Sequence, residues 1–275
     1  MSAHRPDPAK ARSFGRVADA YDRARPSYPR EAAQWLAGPI AARVLELGAG
    51  TGKLTEMLAS LGHIVTATDP SEEMLRHLAA RVPQAQVALG AAESIPVASR
   101  SVDVVVSAQA FHWFDLDRAL PEIARVLRPG GVVALVWNSR DERIPWVKRL
   151  GALLGESPGG PGFEEVTAAL DACGLFEEVE TSTFRFWQPL TPGSLRDLVT
   201  SRSNVAVMSD VERERVLRKV DALYDEYGRG ADGMLLPYVT STFRATVRPQ
   251  AEPEPGPATA GPDEVDTDAL LIDFR

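Results

Sequence analysis

Val44-Leu45-Glu46-Leu47-Gly48-Ala49-Gly50-Thr51-Gly52-Lys53-Leu54-Thr55 is a buried-strand run broken by three alternating glycines that leads into a segment of helical spacing. A strand that turns on glycine into a helix is the opening of a βαβ unit. Gly48 and Gly50 let the chain turn sharply and bring bare backbone against a ligand, where a Cβ would clash. The next apolar run, Ile64 to Thr68, closes on Asp69. That carboxylate stands where it can accept both hydroxyl hydrogens of a ribose. The glycine spacing is Gly-x-Gly-x-Gly. A dinucleotide-binding turn needs Gly-x-Gly-x-x-Gly, with the third glycine seating a helix whose N-terminus cradles a pyrophosphate. Here the third glycine comes one residue early, and Glu46 precedes the turn. A carboxylate in that place repels a pyrophosphate and suits a cationic amine.

Strand and helix patterns alternate outward from this turn. Phe14, Val17, Ala18 and Tyr21 fall on one face of an amphipathic helix, which Pro26 and Pro29 end. Arg43 to Leu47 reads as a strand and Thr51 to Leu61 as a helix. Ile64 to Thr68 is a second strand, and the helix after it is capped by Ser71 with Glu72 and Glu73 in its first turn. Gln86 to Leu89 is a short third strand. Val102 to Ser107 is apolar throughout, as a parallel strand covered on both faces should be. Asp117 to Leu127 is helical, Pro129-Gly130-Gly131 turns the chain, and Val132 to Trp137 is a fifth strand. This alternation implies an α/β fold with a doubly wound, mostly parallel sheet. Past residue 140 the rhythm loosens. Glycine and proline crowd 155–162, a helix leads into a strand over Glu178 to Phe186, and 189–233 reads as a helical insertion with its clearest helix at Val211 to Tyr227. Val239 to Val247 alternates as a last strand.

One domain over 1–248 followed by a disordered, Pro/Glu-rich acidic tail over 249–275 is the expected organisation. The net charge of −8 divides unevenly: the tail holds seven acids against one arginine, and the rest holds 31 acids against 29 bases. The body is nearly neutral and shows no basic stripe, so no nucleic-acid partner is expected. The lone Cys173 rules out an internal disulfide and a four-cysteine zinc site, and no histidine, cysteine or carboxylate cluster at ligand spacing suggests a metal. At an expected helix end, Cys173 reads as a buried structural thiol. Met1 to Pro8 carries no apolar signal core and no stretch approaches membrane-spanning length, which predicts a cytoplasmic chain without a membrane partner. A monomer or homodimer fits equally.

The run Glu46-x-Gly48-x-Gly50-x-Gly52 resembles the cofactor turn of class I S-adenosylmethionine-dependent methyltransferases, whose cofactor carries no phosphate and presents an ammonium. Further segments resemble the small-molecule branch often called methyltransferase type 11: Thr68-Asp69-Pro70-Ser71-Glu72-Glu73-Met74-Leu75, Gly90-Ala91-Ala92-Glu93-Ser94-Ile95-Pro96, Leu127-Arg128-Pro129-Gly130-Gly131 and Asp19 to Pro29. The resemblance spans residues 14–140. It implies a Rossmann-like sheet with an antiparallel last strand, S-adenosylmethionine as cofactor, and an insertion over 189–233 that covers the substrate. It also implies roles: Glu46, Gly48, Ala49, Gly50 and Gly52 around the amino-acid half, Asp69 and Pro70 at the ribose, and Met74, Ala92 and Glu93 at the adenine. Gln109 and Ala110 would face the sulfonium, with Tyr21, Arg25 and Tyr28 closing over the cofactor. Met74 reads equally well as a core contact.

Phe111-His112-Trp113-Phe114 runs off the carboxyl end of strand four, where ligands of open α/β sheets sit. His112 is the candidate catalytic base and Trp113 a π-face for a cation. The same four residues also make a packed aromatic corner holding one satisfied histidine. His4, His63 and His77 read as tail or surface positions. The expected reaction is in-line methyl transfer from S-adenosylmethionine to a small O, N or C acceptor, driven mainly by alignment. A nicotinamide-dependent dehydrogenase fails on the glycine spacing and on Glu46. A nucleic-acid or protein methyltransferase, and a non-catalytic S-adenosylmethionine-binding scaffold, are the remaining alternatives.

Overall fold

A computed structural model describes residues 25–154, 163–202, 205, 207–228 and 233–249. The expected helix through Tyr21, His4, the glycine- and proline-rich stretch at 155–162 and the acidic tail beyond 249 lie outside the described residues. The described chain builds one seven-stranded sheet in the order β3-β2-β1-β4-β5-β7-β6. Its strands are β1 (Arg43–Leu47), β2 (Ile64–Asp69), β3 (Gln86–Leu89), β4 (Val102–Ala108), β5 (Leu127–Arg140), β6 (Glu180–Leu190) and β7 (Met234–Thr246). The first five pair in parallel, while β7 runs antiparallel to both β5 and β6. The doubly wound sheet with an antiparallel last strand is therefore present.

Strand periodicity sorts the core onto two faces, because successive side chains point to opposite sides. Leu45, Leu47, Val105, Val133, Leu135 and Trp137 pack on one face with α4 (Leu116–Val126) and α6 (Phe163–Cys173). Val44, Val104, Val106, Ala134 and Val136 pack on the other with α1 (Arg30–Ala37) and α2 (Lys53–Ser60). On that second face Arg244 of β7 lies 4.7 Å over the Trp35 ring of α1 and bonds Glu180 at 2.7 Å. α3 (Glu72–Arg81) covers β2 and β3, and the hydroxyl of Ser71 accepts the Met74 amide at its N-cap, as the sequence predicts.

A third apolar cluster stands apart from these. It joins α5 (Pro145–Leu154), α7 (Pro192–Thr200) and α8 (Asp210–Tyr227) over the early residues of β7, through Val147, Leu150, Leu195, Leu198, Val220, Leu223, Leu236 and Tyr238. α8 begins in a capping box: Ser209 and Glu212 satisfy each other's amides, an arrangement worth about 1 kcal/mol. α7 and α8 fall within 189–233, the stretch read as a helical insertion, and share this core with α5 and β7.

Several expectations need correction. α5 was not anticipated: its glycine-containing sequence lies in the region where the alternation loosens. β5 extends past Trp137 to Arg140, because β7 begins at Met234 and pairs with it through Arg140↔Tyr238. The Pro129-Gly130-Gly131 turn exists as a break in register: Leu127 faces Val102 and Val132 faces Val104, with Gly130 at φ +76°. His63 is no surface residue; it is buried and its Nδ1 accepts the Ala42 amide at 3.2 Å. Cys173 closes α6, as expected, but is half-buried, its thiol donating to the Leu170 carbonyl.

Candidate functional site

The strand order reverses between β1 and β4, and the chain opens a cleft there at the carboxyl ends of both strands. In open α/β sheets this switch point is where ligands bind. A cavity open to solvent lies there. Glu46 comes from β1, Gly48, Ala49, Gly50 and Thr51 from the turn after it, Lys53 and Leu54 from α2, and Ala108 and Gln109 from the end of β4. Arg25, Pro26 and Tyr28 close one side. Asn138, Ser139 and Arg140 of β5, Arg202 and Tyr238 complete the wall.

The three glycines answer three different demands. All have positive φ, +68°, +56° and +83° at Gly48, Gly50 and Gly52. A Cβ on Gly48 would lie 2.6 Å from the Ala110 Cβ, and one on Gly52 would lie 2.7 Å from Leu78 Cγ. Those two permit close packing against the end of β4 and against α3. Around Gly50 nothing lies within 4 Å of the added carbon. Its bareness leaves open space beside the backbone, as a ligand-bearing turn requires.

Two carboxylates brace the turn. Asp69 Oδ2 accepts the Gly50 amide at 2.9 Å and Oδ1 accepts the Ser71 amide at 2.9 Å, so one side chain ties the glycine turn to the start of α3. A carboxylate has about four acceptor positions, so both oxygens keep capacity for a diol. Burial raises the Asp69 pKa against the lowering effect of those two amides. Glu46 is 1% exposed and accepts the Thr55 hydroxyl at 2.6 Å. Desolvation, opposed by the Thr55 hydrogen bond and assisted by the nearby Asp69 charge, pushes its pKa up to about 8. The carboxylate inferred from the sequence is therefore a neutral acid at pH 7 until a cation reaches it.

Gln109 sits at φ +58°, a conformation that β4 reaches only at its end. It is held there by its amide on the Val136 carbonyl and by Nε2 donating to the Asn138 carbonyl at 3.1 Å. Asn138 in turn donates to the Ser27 carbonyl at 3.0 Å and accepts the Thr240 hydroxyl at 2.7 Å. It thereby fixes the Arg25–Tyr28 segment to the sheet.

Of the residues singled out from the sequence, Glu46, Gly48, Ala49, Gly50, Gln109, Arg25 and Tyr28 meet at this cavity. Asp69, Gly52 and Ala110 stand immediately behind the turn. Met74 and Ala92 are buried beyond Asp69, and Pro70 is exposed at the end of β2. Glu93 is turned toward the chain: its Oε1 accepts the Asp115 amide at 2.8 Å. His112 lies outside the cavity lining, in a 3₁₀ turn where Phe111 meets Phe114 and Trp137 edge-on and the His112 ring lies 4.8 Å from that of Trp113. Desolvation lowers its pKa, with Glu165 pulling the other way. Tyr21 is outside the described residues. Sequence reading missed Asn138, Ser139, Arg140, Arg202 and Tyr238; the first three form the carboxyl end of β5, which could have marked them. Among the described residues no group of three His, Cys, Asp or Glu could hold a metal, and no helix is long and apolar enough to cross a membrane.

A Gly-x-Gly-x-Gly turn beside a buried acid, set at the switch point of a 3-2-1-4-5-7-6 sheet, defines a class, and known proteins agree with it. Residues 45–135 match the family described as "Methyltransferase domain", and the chain belongs to the class I S-adenosylmethionine-dependent methyltransferases. It is 47% identical over 237 residues to an uncharacterised methyltransferase of Mycobacterium tuberculosis, covering 86% of this chain and 96% of that one. A solved methyltransferase structure from Anaeromyxobacter dehalogenans is 28% identical with a TM-score of 0.59, over 82% of this chain and 97% of that chain. The fold is shared with a Haemonchus contortus phosphoethanolamine N-methyltransferase solved with phosphomonomethylethanolamine and S-adenosylhomocysteine: 21% identity and TM-score 0.53, over 89% of this chain and 62% of that one. The cofactor is S-adenosylmethionine, and the open wall at Gly50 beside the buried Glu46 fits its amino-acid half.

Proposed function

We propose that this enzyme methylates a small molecule held in the same chamber as the amino-acid half of its cofactor. The observation that carries this is the shared wall. The glycine turn and Gln109 form one side, while Arg140, Tyr238 and Arg202, the last from the helical insertion, form the other. Bound S-adenosylmethionine supplies a methyl group already activated by a sulfonium. Asp69 takes the ribose, Glu46 the ammonium, and Arg25 with Lys53 the carboxylate, with Met74 and Ala92 toward the adenine and Glu93 holding the Asp115 amide beside them. The Asn138 bridge and the insertion hold the walls together and limit water. Aligning two reactants in this way can supply roughly 7–11 kcal/mol of barrier lowering. A small acceptor is in keeping with the phosphomonomethylethanolamine seen in the Haemonchus contortus enzyme.

Calorimetry against S-adenosylhomocysteine and NAD checks the cofactor side. Incubating methyl-labelled S-adenosylmethionine with a cell extract split into small and macromolecular fractions checks the acceptor. Label confined to protein or nucleic acid refutes the small-acceptor reading.

His112 stands away from this chamber, so we expect His112→Ala to leave both S-adenosylhomocysteine affinity and turnover near wild type. A fall in kcat of about 10²–10⁴ with unchanged affinity, the range for a lost general base, restores His112 as the base.

A further inference from the structure

Thr240 stands in β7 at 0% exposure, on the sheet face that carries the chamber but outside the chamber's described lining. The register pairs Asn138 with Thr240 and, two residues further along, Arg140 with Tyr238. Strand side chains alternate, so the two pairs share one face of the sheet. Asn138, Arg140 and Tyr238 line the chamber; Thr240 lies behind them. A buried hydroxyl is costly unless it finds a partner. The neighbouring Thr242, also fully buried, spends its hydroxyl on the Ser182 carbonyl, within the sheet. Thr240 donates its own to Asn138 Oδ1 at 2.7 Å, a side chain whose other end leaves the sheet.

The chemistry of this pair allows one orientation. The Ser27 carbonyl can only accept, so the NH₂ of Asn138 must face it, as it does at 3.0 Å. The amide oxygen is then turned to Thr240, whose hydroxyl must donate. Take that donor away and nothing from β7 pins the oxygen. The terminal torsion of an asparagine is broad, so the amide can swing off Ser27. The backbone carbonyl of the same Asn138 accepts Gln109 Nε2 at 3.1 Å. Two parts of the chamber wall, the Arg25–Tyr28 segment and Gln109, thus rest on one residue, and Thr240 sets which way its amide points.

Resting on the reading that the Arg25–Tyr28 segment holds the cofactor, we infer that Thr240 is a positioning residue for S-adenosylmethionine. It acts through the Asn138 amide on the segment that carries Arg25 and Tyr28, and so ties the antiparallel strand β7 to cofactor binding. Thr240 touches no reacting atom. A valine has the same branched shape and suits a buried strand, so packing alone does not call for the hydroxyl. What the hydroxyl adds is direction: a donor at a fixed place, aimed at an amide that must itself donate to Ser27.

The test uses the full chain and calorimetry against S-adenosylhomocysteine. Thr240→Val should weaken affinity by about three- to tenfold, the worth of one hydrogen bond, and Thr240→Ser, which keeps the hydroxyl, should stay within about twofold of wild type. In an Asn138→Ala background Thr240→Val should cost nothing further, because the partner it works through is gone. Amide hydrogen exchange at Ser27 and Tyr28 should quicken in Thr240→Val and keep the wild-type rate in Thr240→Ser. If Thr240→Val does not fold, Thr240→Ala against Thr240→Ser isolates the same hydroxyl. Arg25→Gln checks the underlying reading separately. Unchanged affinity there removes the segment from the cofactor, and the inference with it. Weakened affinity in Arg25→Gln beside unchanged affinity in Thr240→Val overturns the inference alone, and a lowered melting temperature in Thr240→Val then marks a structural residue only. A loss that serine does not recover, or one that persists in full beside Asn138→Ala, also overturns it.

Discussion

Glu46→Gln is expected to make the empty protein more stable and its cofactor binding weaker, with both effects set by pH. In the unfolded chain this carboxyl ionises near its ordinary value of 4.5, whereas in the folded chain it holds its proton up to about 8. Between those values the folded state binds more protons, so stability falls as pH rises through that window. At pH 7 the cost is about 3 kcal/mol, taking 1.36 kcal/mol for each pH unit above 4.5. Glutamine removes that cost and still accepts the Thr55 hydroxyl, so the melting temperature of the empty protein should rise most at pH 8 and hardly at pH 4.5.

Cofactor binding reverses the balance. An ammonium beside Glu46 favours its ionised form, so binding between pH 6 and 8 should release a proton. Wild-type affinity for S-adenosylhomocysteine should then strengthen by up to about tenfold per pH unit over that interval, while Glu46→Gln stays flat. Titrations in two buffers of different ionisation enthalpy count the proton directly. A wild-type affinity flat across the same interval, with no proton released, removes Glu46 from the ammonium site.

Asp69→Ala is the second large effect. Its two oxygens hold the Gly50 and Ser71 amides, each at 2.9 Å, so the substitution withdraws both the proposed ribose acceptor and the brace of the turn. We expect S-adenosylhomocysteine affinity to fall by more than ~1.5 kcal/mol, the lower range for a charge-assisted hydrogen bond. Asp69→Asn separates the two roles from the charge. It should also lower the Glu46 pKa, because the Asp69 charge is one cause of that elevation. The pH at which wild-type binding levels off should move down accordingly. An unchanged dissociation constant in Asp69→Ala refutes the ribose assignment.

The cofactor half of this fold is legible because local rules and burial agree there. Gln86–Leu89 is the strand its residues predict, Ser71 is the cap its position predicts, and the glycine turn ends β1 where the apolar run stops. The opposite wall of the chamber is not legible in the same way. Arg140, Arg202 and Tyr238 meet only because β5 and β7 extend beyond the rest of the sheet and the insertion packs on that extension. No periodicity in one segment encodes a partner on another. His63 shows the same limit. Its short neighbourhood, Leu61-Gly62-His63, reads as a turn, and only the Ala42 amide 21 residues away makes it interior. Glu46 lies beside the glycine turn, as its motif implies, but the rise of its pKa comes from burial, which sequence alone does not state.

The cap of α5, α7 and α8 has an interior separate from the two faces of the sheet. Substitutions that reshape one mouth of the chamber therefore draw on a different reservoir of packing from those that hold the nucleoside. Repacking Leu195, Leu198 or Leu223 should thus leave the turn at Gly48 to Gly52 undisturbed.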